Sequence, residues 1–241
     1  MAGERKRVDG ETGFVLHAYP FRETSSIVEV FSRDHGRVPL VARGARRPRS
    51  QLRGVLMEFQ PLELAWFGAG ELLTLAKAEW LGGQRLLTGR ALLFGYYLNE
   101  LLLRLLARED PHPSLFDSYW SVLRNLALAD AGPALLRRFE LVLLREIGYG
   151  LSLERDAESG DPVRGDWNYA YLLERGPVVA ATPPDSGIFI SGKALLGMAR
   201  DDYSAPETLH QSKILMRALI NHYLGGRSLN SRRVFKELQE L

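Results

Sequence analysis

The chain has 241 residues, 46% of them apolar and 25% charged, with no cysteine and five histidines. This size and composition support one large or two modest domains with buried cores and exclude a disordered chain. Missing thiols exclude a disulfide framework, a thiolate nucleophile, an iron–sulfur cluster and any cysteine-bearing zinc site, and the scattered histidines offer little to other metals, so neither metal nor cofactor is expected.

The polar N-terminal stretch, Met1 to Gly13, has no apolar run behind it. No segment approaches the roughly 18 apolar residues of a spanning helix, so the expectation is a soluble, cytoplasmic, unexported protein. Five runs of β-branched or aromatic character follow: Phe14 to Tyr19, Ile27 to Phe31, Arg37 to Val41, Met57 to Trp66 and Leu72 to Trp80. Five short strands predict a small barrel. Asp34-His35-Gly36 and Gly68-Ala69-Gly70 read as hairpin loops, while an arginine-rich segment fills the longer gap between the third and fourth strands.

From about Gly82 the apolar period lengthens to three and four residues. Helices are predicted from Ala91 to Arg108, from Ser114 (as cap) to Ala129, and from Pro133 to Ile147, with Gly148 as a stop. Short loops between them favour an antiparallel bundle. Tyr149 to Asp166 reads as a connector, Tyr169 to Leu173 and Val178 to Ala181 as a hairpin, and Gly192 to Arg200, Glu207 to Leu224 and Ser231 to Leu241 as helices. The expected architecture is α+β: a barrel domain over residues 1–81, then a helical domain over 82–241 carrying a metal-free connector and hairpin at about 149–190.

The net charge of +2 conceals a local excess. Arg37, Arg43, Arg46, Arg47, Arg49 and Arg53 lie in one window without an acidic residue, which leaves the other residues at −4. Guanidinium forks match phosphate oxygens bidentately, so such a loop follows a nucleic-acid backbone without reading sequence. The bland alternative is a solvated loop, but ordinary surfaces mix both signs. Phe31, Phe59, Trp66 and Phe67 on neighbouring strands are candidate stacking platforms, with most of them expected in the core.

Other motifs carry less. Gly187 to Lys193 has phosphate-loop spacing, but Ala194 stands where a hydroxyl should bind magnesium and Ile188-Phe189-Ile190 is an extended apolar run. Gly68-Ala69-Gly70 lacks the third glycine of a dinucleotide fingerprint, since Leu73 occupies its place. His17, His35, His112, His210 and His222 show no metal spacing, and no Gly-x-Ser-x-Gly elbow occurs. Nothing in the sequence supports an enzyme. Along the third helix, Arg137 and Leu141 share a face, where a cation beside an apolar patch suits an acidic, hydrophobic peptide end. A bundle helix with solvent-reaching arginines is the simpler reading of that pattern alone.

Together these blocks resemble a known family. Val15 to Ser25, Val30 to Arg46 and Leu52 to Leu56 resemble the N-terminal domain of the bacterial recombination mediator RecO. Leu136-Arg-Arg-Phe-Glu-Leu141 with Gly148-Tyr-Gly150, and Tyr223 to Gly226 with Ser231 to Phe235, are similar to later landmarks of that family. The resemblance implies an OB-fold of about 80 residues followed by a helical domain. It also implies binding of single- and double-stranded DNA, annealing of complementary strands, and engagement of the acidic tail of single-stranded DNA-binding protein. Work with RecR to help RecA load onto coated DNA is implied as well. By position it makes Arg37, Arg43, Arg46 and Arg47 DNA contacts, and Arg137 with Leu141 the tail site. Some members hold zinc through four cysteines in the region matching Leu151 to Tyr171, where this chain has none. The rival expectation is a protein-binding adaptor whose DNA contact is incidental.

Overall fold

A computed structural model describes residues 6–128 and 132–239. The expected helix ends at Ala129 and Leu241 lie outside the described residues. Five strands, β1 (Lys6–Phe21), β2 (Ser25–Ser32), β3 (Gly36–Ala42), β4 (Pro61–Gly68) and β5 (Leu73–Trp80), close a barrel in the order β1-β2-β3-β5-β4. All neighbours run antiparallel except β3 and β5, whose parallel pairing of Leu40 with Leu73 shuts the barrel. Closure pairs every described strand of this sheet on both sides.

β1 is longer than the sequence pattern predicts, because it serves two neighbours. Its first half pairs with β4 and its second half with β2, and the register slips between Val8 and Glu11 and again between Val15 and His17. Such bulges bend a strand around a small barrel. Neighbouring pairs on β1 and β2 are used in opposite directions. Val15 and Val30 join the barrel core with Val28, Leu40, Leu62, Leu64 and Trp66, whereas Phe14 and Phe31 meet Phe116 and Tyr119 of a helix outside it. β4 is shorter than the predicted Met57 to Trp66 run. Phe59 takes a positive φ of 66° and turns its buried ring toward the later helical residue Gly95, where a Cβ would come within 2.8 Å of it.

Between β3 and β4 lies a short helix that the sequence pattern did not predict, α1 (Leu52–Val55). After the barrel come α2 (Gly89–Leu105), α3 (Pro113–Leu126), α4 (Ala134–Glu146), α5 (Gly192–Ala199), α6 (Pro206–Tyr223) and α7 (Asn230–Gln239). Pro113, with its fixed φ, occupies the first turn of α3, which puts Ser114 inside the helix and not at its cap.

The described chain divides into two compact units, residues 1–131 with 229–241 and residues 132–228, so α2, α3 and α7 pack with the barrel while α4, α5 and α6 belong to the second unit. The division follows long-range contacts that no local period reveals. In the first unit, Tyr119 donates to Asn99 Oδ1 at 2.6 Å, and the Asn99 amide donates to the Leu16 carbonyl at 2.9 Å, tying α3, α2 and β1 into one polar chain under the aromatic cluster. Glu100 accepts from the Asn230 and Ser231 amides at 2.9 and 2.8 Å and so pins the start of α7 to α2.

In the second unit, the predicted hairpin, β6 (Asn168–Leu172) with β7 (Gly176–Val179), gains a third strand, β8 (Ile188–Ser191), in the order β7-β6-β8. Tyr169, Tyr171 and Ile190 from this sheet pack with Leu144, Leu195, Leu215, Met216 and Leu219 of the helices. The Gly187 to Lys193 run is therefore a strand and a helix cap: Ser191 Oγ accepts from Ala194 N at 3.2 Å, and the Ser191 amide donates to Gln211 at 2.8 Å.

The connector before β6 is organised by one buried carboxylate. Asp156 accepts from the amides of Glu158, Ser159 and Val179, each at 2.8 Å, binding the connector to β7. Burial alone would raise its pKa, but the amides of Ser159, Glu158 and Val179 outweigh it and hold the carboxyl below its ordinary value of 3.8. A depressed carboxyl stabilises the fold above its unfolded-state value and loses that contribution as pH falls through its native value. Urea unfolding should therefore show Asp156→Asn less stable than wild type at pH 7, with the gap closing as the pH is lowered from about 5 toward 3. A gap independent of pH would contradict this role.

Candidate nucleic-acid interface

The segment after β3 leaves the barrel through a sharp turn. Gly44, at φ +69°, occupies a conformation that side-chain-bearing residues rarely adopt, and it lets the following residues fold back. Tight turns then run along the loop: Arg47 N donates to the Gly44 carbonyl at 3.1 Å, Ser50 N to the Arg47 carbonyl at 3.0 Å, and Arg53 N to the Ser50 carbonyl at 3.3 Å. The loop ends in α1, whose Leu52 and Val55 pack against the barrel core.

A second turn holds this loop in place. Arg46 N donates to the Thr24 carbonyl at 2.9 Å, the Arg46 guanidinium donates to the Arg22 carbonyl at 3.3 Å, and Gly44 N donates to Ser25 Oγ at 3.3 Å. The loop after β3 and the β1–β2 turn therefore form one rim. Arg43, Arg46, Arg47, Arg49 and Arg53 are all exposed on it, and among the described residues no carboxylate forms an ion pair with any of them. Arg22 joins them from the β1–β2 turn, exposed, with its guanidinium 5.1 Å from the centre of the Phe21 ring. Sequence reasoning missed Arg22 because only the fold brings that turn beside the arginine loop. The acidic Glu23 is exposed in the same turn, so the rim is strongly but not uniformly positive.

Arg37 is placed apart from these groups. It lies on β3, not in the loop, and its side chain is 15% exposed. Its guanidinium donates to Glu29 at 3.0 Å and to the Leu106 carbonyl at 3.0 and 3.3 Å, and Glu29, itself buried, also pairs with Arg108. The Arg37 carbonyl accepts from Glu109 N at 3.0 Å. Arg37 thus fastens the segment after α2 to the barrel and is committed to that contact.

Of the stacking candidates, Phe31, Phe59 and Trp66 are core residues, while Phe67 remains 43% exposed. Arg137 is also differently placed from a solvent-facing cation. It is 7% exposed and pairs with the fully buried Glu140 one turn along α4, while Leu141 is half-buried against the core of the second unit. Among the described residues, no group of three or more His, Asp or Glu is placed to hold a metal ion, and no helix is long and apolar enough to cross a membrane.

The architecture defines the chain as an OB-fold barrel protein with a helical C-terminal region. Residues 10–84 match the family model "Recombination protein O N terminal" and residues 86–233 match "Recombination protein O C terminal". The chain is 59% identical over 238 residues to the DNA repair protein RecO of Aromatoleum aromaticum, covering 99% of each chain. It is 58% identical over 241 residues to that of Azoarcus sp. strain BH72 (98% of this chain, 99% of that one), and 54% identical over 240 residues to that of Dechloromonas aromatica (98% and 99%). This chain belongs to the RecO family, a family of DNA repair and recombination proteins.

The two kinds of arginine separate in stability measurements. Arg137→Ala removes the charge that balances a buried carboxylate and should cost about 3–5 kcal/mol. Arg37→Ala leaves Glu29 with Arg108 and should cost about 1–3 kcal/mol. Arg43→Ala and Arg47→Ala should stay within about 0.5 kcal/mol of wild type in urea unfolding. Equal effects at all four positions would contradict the division.

Proposed function

We propose that this chain is a DNA-binding recombination mediator that works without chemical turnover, in the cytoplasm at the nucleoid. It anneals complementary single strands and, with RecR, assists RecA loading onto DNA coated by single-stranded DNA-binding protein. The observation that carries this reading is the arginine rim: five exposed guanidinium groups without a partnering carboxylate, on turns fixed to the barrel. Backbone hydrogen bonds hold the turns, and although the Arg46 guanidinium gives one donor to the Arg22 carbonyl, no carboxylate among the described residues takes up the charge of any of the five. In the proposed mechanism the rim neutralises two sugar-phosphate backbones at once and lowers the repulsion that opposes pairing. Residues 1–81 supply the DNA-binding module and residues 82–241 the partner-binding one. Arg43, Arg46, Arg47, Arg49 and Arg53 are the proposed DNA contacts, with Arg22 added and Arg37 withdrawn.

For the acidic tail of the coating protein, the proposed receptor is Arg137 with Leu141. Because Glu140 already holds the Arg137 guanidinium, a tail carboxylate has to take over from Glu140. Glu140→Gln should then strengthen binding of a tail peptide in calorimetry, by relieving that competition. Unchanged or weaker binding by a folded variant would remove this assignment.

One feature favours the adaptor reading. A groove of about 790 Å³ in the first unit has an apolar floor that includes Leu16, Ile27, Leu93, Tyr96 and Leu103, with Glu29, Arg37, Glu100, Arg104 and Arg108 also on its wall, and suits an amphipathic segment of a partner protein. Strand annealing by the purified chain distinguishes the two, since an adaptor with incidental DNA contact does not accelerate it.

If about four phosphates are neutralised, the slope of log affinity against log salt on single strands should be about −3. Reversing Arg43, Arg46 and Arg47 to Glu should weaken binding to all sequences alike and flatten that slope by about 2. Salt-insensitive binding by wild type would contradict the reading.

A further inference from the structure

The arginine rim explains attraction to phosphate, yet a rim of cations alone would hold duplex and single strand alike. Stacking of unpaired bases on an aromatic face separates the two. The aromatic candidates suggested by sequence are mostly spent in the core, and the structure offers a different one. Trp80 is the last residue of β5 and is 55% exposed, although tryptophan is a residue the core normally claims.

Its ring is not loose. The indole Nε1–H donates to the Val55 carbonyl of α1 at 2.9 Å, which fixes the ring beside the helix that ends the arginine loop. A groove of about 460 Å³ lies there, lined by Gln51, Leu52, Val55, Ala78, Glu79 and Trp80, within the size range of small-ligand clefts. Arg53 stands exposed on the same short helix. The one acid lining the groove, Glu79, shares Lys77 with Glu63, at 3.1 and 2.7 Å, so its charge is only partly offset and Arg53 is the cation left to meet a phosphate. A planar apolar wall, an exposed amide at Gln51 and a cation at Arg53 together match a nucleotide: base on the ring, phosphate toward the arginine.

We infer that Trp80 is a base-stacking platform, and that single-stranded nucleic acid running along the arginine loop seats an unpaired base in the groove between Trp80 and α1. This rests on the DNA-binding reading above and adds to it a preference for unpaired strands. The tether through Nε1 restricts the ring before the strand arrives, so little rotamer freedom is lost on binding.

The test uses the full chain and two labelled oligomers of equal length and charge, oligo-dT and an abasic sugar-phosphate chain, with binding followed by anisotropy. Wild type should bind oligo-dT more tightly. Trp80→Ala should weaken oligo-dT binding by about fivefold or more while leaving abasic binding unchanged, with the same salt slope on both. Trp80→Phe, which keeps a ring but loses the Nε1–H donor, should retain most of the oligo-dT affinity and abolish the quenching of tryptophan emission that Trp80 contributes. Equal losses on both oligomers in Trp80→Ala would show that the indole only positions α1 and its arginine, and would overturn the inference. Unaltered oligo-dT affinity in Trp80→Ala would overturn it too, while leaving the DNA-binding reading standing. Failure of wild type to bind either oligomer would overturn that reading itself, and the inference with it.

Discussion

Like charges crowded onto one loop repel, and the segment from Arg43 to Arg53 carries five guanidinium groups with no acidic residue between them. At physiological salt the repulsion is screened over about 8 Å, so neighbours on a tight turn still feel it. The loop keeps its shape because backbone groups, not carboxylates, hold it: turn hydrogen bonds within the segment and the bonds to Thr24, Ser25 and Arg22 across the rim. Ion pairs would have relieved the repulsion and consumed the charge. The closed barrel beneath, with α1 packed against its core, supplies the rigidity that lets the charge stay unspent.

Burial decides what an arginine does in this chain. Arg37 and Arg43 are six residues apart on adjoining pieces of the same segment. One lies against Glu29 and the end of α2, where three guanidinium hydrogen bonds reach a buried carboxylate and the carbonyl that follows the helix; the other reaches solvent beyond the strand's end. Arg137 repeats the first pattern in the second unit. Its spacing of three from Glu140 is visible in the sequence, but the pattern of α4 does not reveal that both members face the core.

Local signals carried the hairpins well. Asp34-His35-Gly36 and the glycines after β4 turn where turn chemistry places them, and the alternation in β2 survives because Val28 and Val30 face a core. The α+β class and the barrel were legible for that reason. Features made by closure were not. The length of β1 depends on two partners, β8 is too short for a periodic signature, and the grouping of α2 and α3 with the barrel rests on Phe14 and Phe31 meeting Phe116 and Tyr119 across about a hundred residues of chain. In the site, the loop arginines were readable from charge alone. Arg22 and Trp80 were not, since one needs the proximity of two turns and the other needs an exposure that composition opposes.

The proposed function requires the carboxylate-free guanidinium groups on the barrel rim to grip sugar-phosphate chains. The most direct measurement is arginine-selective chemical modification of the whole protein, with and without a saturating oligonucleotide, read residue by residue by mass spectrometry. A rim that grips phosphates should be protected at Arg22, Arg43, Arg46, Arg47, Arg49 and Arg53, with Arg37 and Arg137 slow to react in both samples. Protection confined to exposed arginines of the second unit, such as Arg200, Arg217 and Arg227, with the rim still reactive, would contradict it.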